Sequence, residues 1–174
     1  MQANNKNKMR ILEQFNNACM PITILFMVGC SAPKEVLVAN ADLHQVEFET
    51  IGKGSLYGAG EEGIEESNIL IRSKQEWQGL KKNIDAVNKV SQNFKEHEVN
   101  FEEYYLIACF DPVRPNGGYS MKIKDVLESP TQIEVLIEHP KPQGMAISVL
   151  IQPYHIIRIP ITDKDILFRH LPLK

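Results

Sequence analysis

Cysteine is scarce in this sequence and an excess of basic charge is missing altogether. The cysteines are Cys19, Cys30 and Cys109. There are 19 Lys/Arg against 22 Asp/Glu, a formal net charge of −3, so no positive field is available for nucleic acid. No apolar run reaches the ~20 residues a membrane-spanning helix needs. G-x-S-x-G and H-E-x-x-H do not occur, and no Cys–His pair lies on plausible loops, so the reading is of a protein that is not an enzyme. Glu96-His97-Glu98 has no second His or Cys at ligand spacing and reads as a solvated run; neither a metal nor a cofactor is expected. His139, His155 and His170 read as structural or solvated. With 43% hydrophobic and 24% charged residues, disorder and collagen-like repeats are also excluded.

What is present begins with a leader. Lys6, Lys8 and Arg10 form a positive head, and Ala18 to Gly29 is uncharged and mostly apolar, a length that suits a signal h-region. Its end, Met27-Val28-Gly29-Cys30, resembles a bacterial lipobox, in which a small residue precedes a cysteine that is acylated and becomes the first residue of the mature chain. Met27 stands where Leu is more usual. Glu13, Asn16 and Asn17 make the head long, which Met9 as the start would shorten. The alternatives are an ordinary secretory signal or a buried apolar segment; Gly29-Cys30 favours lipidation. The expected organisation is therefore a signal peptide over 1–29, a lipid-anchored tether over 30–45 and a β-rich domain over 46–174. Cleavage would leave 16 Lys/Arg against 21 Asp/Glu. So acidic a surface would not cling to anionic lipid, and membrane contact would come from the acyl chains. Cys109 would be the one cysteine left in the domain, within an apolar strand and without an adjacent base. It reads as core, not as a nucleophile.

Along the domain, alternation over Ala39–Ile51 predicts a first strand. Five glycines follow between Gly52 and Gly63, and Gly58 to Gly63 spells G-x-G-x-x-G. A phosphate cradle needs that motif between a strand and a helix, whereas here Glu61 and Glu62 fill the variable positions and Asn68–Arg72 reads as a strand. A mobile loop carrying solvated acids is expected. Ser73-Lys74-Gln75-Glu76 is a capping box, opening a helix whose Trp77, Leu80, Ile84 and Val87 form one apolar stripe. Asn88–Glu98 reads as loop. Tyr104–Phe110, Tyr119–Lys124, Ile133–Glu138, Ile147–Ile151 and His155–Ile159 read as strands, with Gln152-Pro153 interrupting the last two. Short connections favour antiparallel neighbours. The fold class expected is α+β, mainly β: antiparallel sheets, as a sandwich or an open barrel, packed with one amphipathic helix.

Between two of these strands, Asp111-Pro112-Val113-Arg114-Pro115-Asn116-Gly117-Gly118 combines prolines that fix φ with glycines that permit φ > 0, predicting a shaped, projecting turn. The order of strand, Pro-Asn-Gly-Gly-Tyr-Ser, strand, hairpin and Gln152-Pro153-Tyr154-His155-Ile156-Ile157-Arg158-Ile159-Pro160 is similar to the C-terminal domain of the PrcB family. Gly117, Gly118, Tyr119, Pro153, Tyr154, Ile156, Ile157 and Pro160 carry the likeness, and Val99-Asn100-Phe101 resembles the family's Val-Asp-Phe with Asn100 replacing the acid. The resemblance implies a bacterial lipoprotein subunit associated with a surface protease complex, acting as a noncatalytic accessory that binds a protein partner. Pro115–Tyr119 also resembles the Asn-Pro-Thr-Thr-Gly-Tyr/Phe loop of chagasin-type protease inhibitors, with the Asn-Pro order reversed and the threonines missing.

The expected function is thus an envelope-tethered binding module, lipidated at Cys30. Arg114, Pro115, Asn116, Gly117, Gly118 and Tyr119 would meet a protein partner, a protease or the protease complex that the resemblance implies. Tyr and Arg are enriched at interface hot spots, and a proline-stiffened loop loses little entropy on docking. The alternative is an inhibitor that places this loop in a protease cleft. A plain hairpin connection with Tyr119 buried is the structural explanation of the same residues.

Overall fold

A computed structural model describes residues 43–140, 142 and 144–172. The signal peptide expected over 1–29, the proposed attachment point Cys30 and the part of the expected tether before Leu43 lie outside the described residues. The chain divides into units at Leu37/Val38, and every described residue belongs to the second.

Two four-stranded sheets make a sandwich. Strands β1 (His44–Gln45), β5 (Lys122–Glu128), β6 (Gln132–Glu138) and β8 (Asp165–His170) form one, in the order β1-β5-β6-β8. Strands β2 (Glu49–Leu56), β7 (Gln152–Pro160), β4 (Tyr104–Phe110) and β3 (Ser67–Ile71) form the other, in the order β2-β7-β4-β3. Neighbours are antiparallel except β6 and β8, which run parallel. The sheets do not close into a barrel, and helix α1 (Lys74–Ile84) covers the outer face of the second sheet.

The apolar run of β4 follows from this three-layer arrangement. Tyr105, Ile107 and Cys109 face the first sheet, packing with Ile123, Val126, Ile133, Val135 and Ile137. Leu106, Ala108 and Phe110 face the other way, towards Trp77 and Ile84 of α1. A strand buried on both faces needs no polar alternation. Cys109 is wholly buried, and burial pushes its thiol up to about 12, so it is an inert core residue.

His155 ties the layers together from β7. The Ile123 amide of the first sheet donates to its Nδ1 at 2.8 Å. That bond places the ring proton on Nε2, which lies 2.9 Å from Thr50 Oγ1 in β2. The ring is buried, and burial, with a smaller effect from Lys53, holds its pKa down to about 4.

The capping box forms as its sequence predicts: Glu76 N–H donates to Ser73 Oγ, and Glu76 Oε2 accepts from the Ser73 amide. The helix ends sooner than the stripe suggests. Asp85 is its C-cap, so Val87 falls beyond it and is exposed, while Trp77 and Ile84 are buried and Leu80 is half-buried. The stretch after it contains a short 3-10 turn, Val90–Asn93, which sets Phe94 against Trp77 with centroids 5.7 Å apart.

Other expectations are corrected. The strand predicted over Ala39–Ile51 is two pieces, β1 and β2, and β2 runs on through Gly52 and Gly54 to Leu56. Gly52 is there because a Cβ would meet the Phe94 ring at 2.5 Å. The acids of the glycine-rich loop are not all solvated: Glu62 is buried and accepts the Gly58 amide at 2.8 Å. Ala59 and Gly60, at φ 54° and 94°, fold the chain back to allow this. An amide that a phosphate cradle would need is therefore taken by the protein's own carboxylate. Pro153 does not interrupt a strand but sits within β7, and 145–150 forms no strand. The tail holding His170 is the parallel edge strand β8.

Candidate interaction site

The loop after β4 is built by three restraints. Asp111, 2% exposed, accepts from Arg114 Nε at 2.7 Å and Nη2 at 3.0 Å. This bidentate pair raises the guanidinium's pKa above its ordinary value, the hydrogen bond being the largest cause. The same guanidinium lies 5.1 Å over the Tyr119 ring, a cation–π contact that folds the loop's two ends together. Asn116 Oδ1 then accepts the Gly118 amide at 3.0 Å, a local turn of the kind Asn favours.

A second segment, 144–151, lies along this loop. The Arg114 amide donates to the Ile151 carbonyl at 2.7 Å and Ile151 donates back at 3.0 Å, and the Gly117 amide donates to the Ile147 carbonyl at 3.1 Å. Gly117 and Gly118 are not left-handed; the positive-φ glycines among the described residues are Gly60, Gly63 and Gly144. They are glycines because space is short. A Cβ on Gly117 would lie 3.1 Å from Ile147 Cγ1, and one on Gly118 would lie 3.0 Å from Ala146 Cβ and 3.1 Å from Pro142 Cβ. The turn expected to project is instead held down by its neighbour.

The residues singled out from sequence are therefore together in space but unequal in access. Pro115 and Gly117 are exposed, Asn116, Gly118 and Tyr119 are half-buried, and the Arg114 side chain is 33% exposed with its donors engaged. The largest exposed apolar groups nearby come from the segment that sequence reasoning made a strand. Met145 is fully exposed, Ile147 is 73% exposed and Leu150 48%. An isolated antiparallel bridge joins Arg114 to Ile151, next to Leu150. The alternation of Ile147, Val149 and Ile151 predicts a strand, but 145–150 forms none, and Ile151 bridges to Arg114 in a loop and not to a sheet.

A second concavity, about 610 Å³, is lined by Val46, Phe48, Glu49, Tyr104, Arg158 and Pro160 among others. Its cation is already matched, with Arg158 2.8 Å from Glu49 and 2.7 Å from Glu96 and stacked over Tyr104. Among the described residues, no group of three or more His, Cys, Asp or Glu side chains is placed to hold a metal ion, and no helix is long and apolar enough to cross a membrane.

Residues 105–160 match the family model described as PrcB C-terminal. That segment of the chain is PrcB C-terminal-like. The match covers about a third of the sequence, and neither the curated proteins nor the solved structures gave a match. The PrcB C-terminal-like segment runs from β4 into the end of β7, so it holds both inner strands of the second sheet, the β5–β6 hairpin, the 111–119 loop and the ridge at 145–150. Just before it, Asn100 Oδ1 accepts the Glu102 amide at 3.1 Å, and the Asn100 carbonyl accepts from Tyr104 at 2.9 Å.

Proposed function

We propose that this chain is an envelope lipoprotein, acylated at Cys30, whose β-sandwich is a noncatalytic accessory module that docks on a protein partner, a component of a protease complex. The PrcB C-terminal match is consistent with an accessory role beside a protease. The observation that carries the docking surface is the ridge of Met145, Ile147 and Leu150 standing on a loop already fixed by Asp111, Arg114 and Tyr119. Burying one such side chain contributes about 1.5–3 kcal/mol, and three exposed apolar side chains between 145 and 150 offer a partner more than one such contribution. A preformed support adds little ordering entropy on binding. Insertion of the 114–119 loop into a protease cleft is less favoured, because Gly117 is hydrogen-bonded to Ile147 and the ridge stands further out.

The test is capture of the native complex from detergent-solubilised envelope, followed by a proteolysis assay on what is captured. An accessory module preserves or raises proteolysis, and an inhibitor abolishes it. Labelling with a radioactive or clickable fatty acid checks the anchor: label should be lost in Cys30→Ser, and its retention would remove Cys30 as the attachment point.

A further inference from the structure

Four elements meet beside the interaction ridge. Asp111 follows β4, His139 follows β6 and leads into the ridge segment, His170 ends β8, and Asn68 lies in β3. His139 Nε2 and His170 Nδ1 are 2.9 Å apart, with the ring planes 13° apart and the centroids 5.2 Å apart. Together these values describe nearly coplanar rings joined edge to edge by one N–H···N bond, not rings laid face to face. Asp111 Oδ1 stands 3.3 Å from His139 Nδ1, outside hydrogen-bond geometry, so it acts on the ring through its charge. At the far end, Asn68 Nδ2 is 3.2 Å from His170 Nε2.

These contacts fix the protons. A lone pair facing a carboxylate is repelled, so His139 carries its hydrogen on Nδ1 and its Nε2 accepts. His170 Nδ1 must then donate, and His170 Nε2 accepts from the Asn68 amide. We propose that this pair is an acid-sensitive latch, joining the β3 and β8 edges to the start of the ridge segment, that tolerates one added proton and opens on the second. A proton added at His170 Nε2 leaves the bond between the rings intact, with Asn68 turning its amide to offer oxygen. The second can go only to His139 Nε2, whose lone pair is that bond. Two N–H groups and two positive rings then face each other, and the contact is lost.

The charges around His139 come from every element at this point. Burial is the largest effect and opposes its protonation, as do His170 and Arg114, while Asp111 and Glu66 favour it; the net effect holds its pKa below the ordinary value. Opening is therefore expected on the acid side of the ordinary imidazole range. Any effect on partner docking rests on the function proposed above, whereas the latch itself does not.

The experiment is imidazole ¹H–¹⁵N NMR on the full chain in detergent from about pH 8 to about pH 4.5, alongside amide exchange at Gly117 corrected for its intrinsic rate. The expected result is two separated titration steps, with Gly117 exchange rising at least about tenfold at the second step only. In His170→Gln that acid-dependent rise should vanish. Single-step, independent titration of the two rings would overturn the latch, and so would unchanged Gly117 protection once both rings are charged. The wild-type titration decides this even if the variant does not fold. Opening of the latch without any change in capture of the partner would support the latch and count against the ridge as the docking surface.

Discussion

Folding stability should fall in mild acid because of His155. Its Nδ1 accepts the Ile123 amide in a buried site, so the folded protein needs the neutral ring. The unfolded chain protonates near 6.5, whereas the folded one resists until about 4. The stabilisation is thus fully present above about pH 6.5 and is lost as pH falls through the interval down to about 4, below which this residue has no further effect. At about 1.36 kcal/mol per pH unit, the whole interval amounts to roughly 3 kcal/mol. That is a large share of the about 5–15 kcal/mol typical of a domain. Carboxylates also titrate here, so the useful quantity is a difference between proteins. Urea unfolding of the wild type and of His155→Asn, which keeps an acceptor near Nδ1, should be followed from about pH 7.5 to about pH 4. The gap between the two proteins should shrink by roughly 3 kcal/mol as pH falls. A gap that stays constant, or an imidazole signal from His155 that titrates near 6.5, would refute the buried-acceptor reasoning.

Other substitutions probe separate parts of the fold. Gly79 is exposed in the middle of α1, and an added Cβ there meets nothing within 4 Å. Gly79→Ala should therefore stabilise by about 0.5–1 kcal/mol, read as a rise of a few degrees in Tm. Gly52→Ala should do the reverse, losing about 1–3 kcal/mol in urea, because Phe94 is confined by its stack on Trp77 and has little room to yield. Arg114→Ala should lose about 2–4 kcal/mol by stranding the buried Asp111 carboxylate, and Arg114→Lys should recover only part of this because it cannot form the two-pronged pair.

Much of the architecture was legible because local chemistry and tertiary packing agree. The S-x-x-E box, the Trp77–Ile84 spacing and the unbroken apolar run of β4 each have one physical solution. The misreadings share a cause in contacts distant in sequence. Gly52 and Gly54 looked like loop, yet the first lies in a strand because the Phe94 ring takes the place of a side chain. No strand is predicted after Ile159, because β8 forms by pairing with β6, well before it in the chain. At the candidate site, the Pro-Asn-Gly-Gly-Tyr stretch announced a shaped turn, but only Ile147, Ala146 and Pro142 explain why it is held down. The same contacts make Gly117 and Gly118 poor probes, since any larger side chain there disturbs the fold. The 2.9 Å meeting of His139 with His170 joins residues from a strand end and a tail that no spacing rule connects.

The most direct measurement compares capture of the proposed partner by the wild-type protein and by a Met145→Asp, Ile147→Asp variant. Both side chains are exposed, so the variant's Tm should match the wild type's to within a few degrees. The wild type should bring down a proteolytically active complex and the variant should not. Equal recovery of that complex by the folded variant would contradict the account.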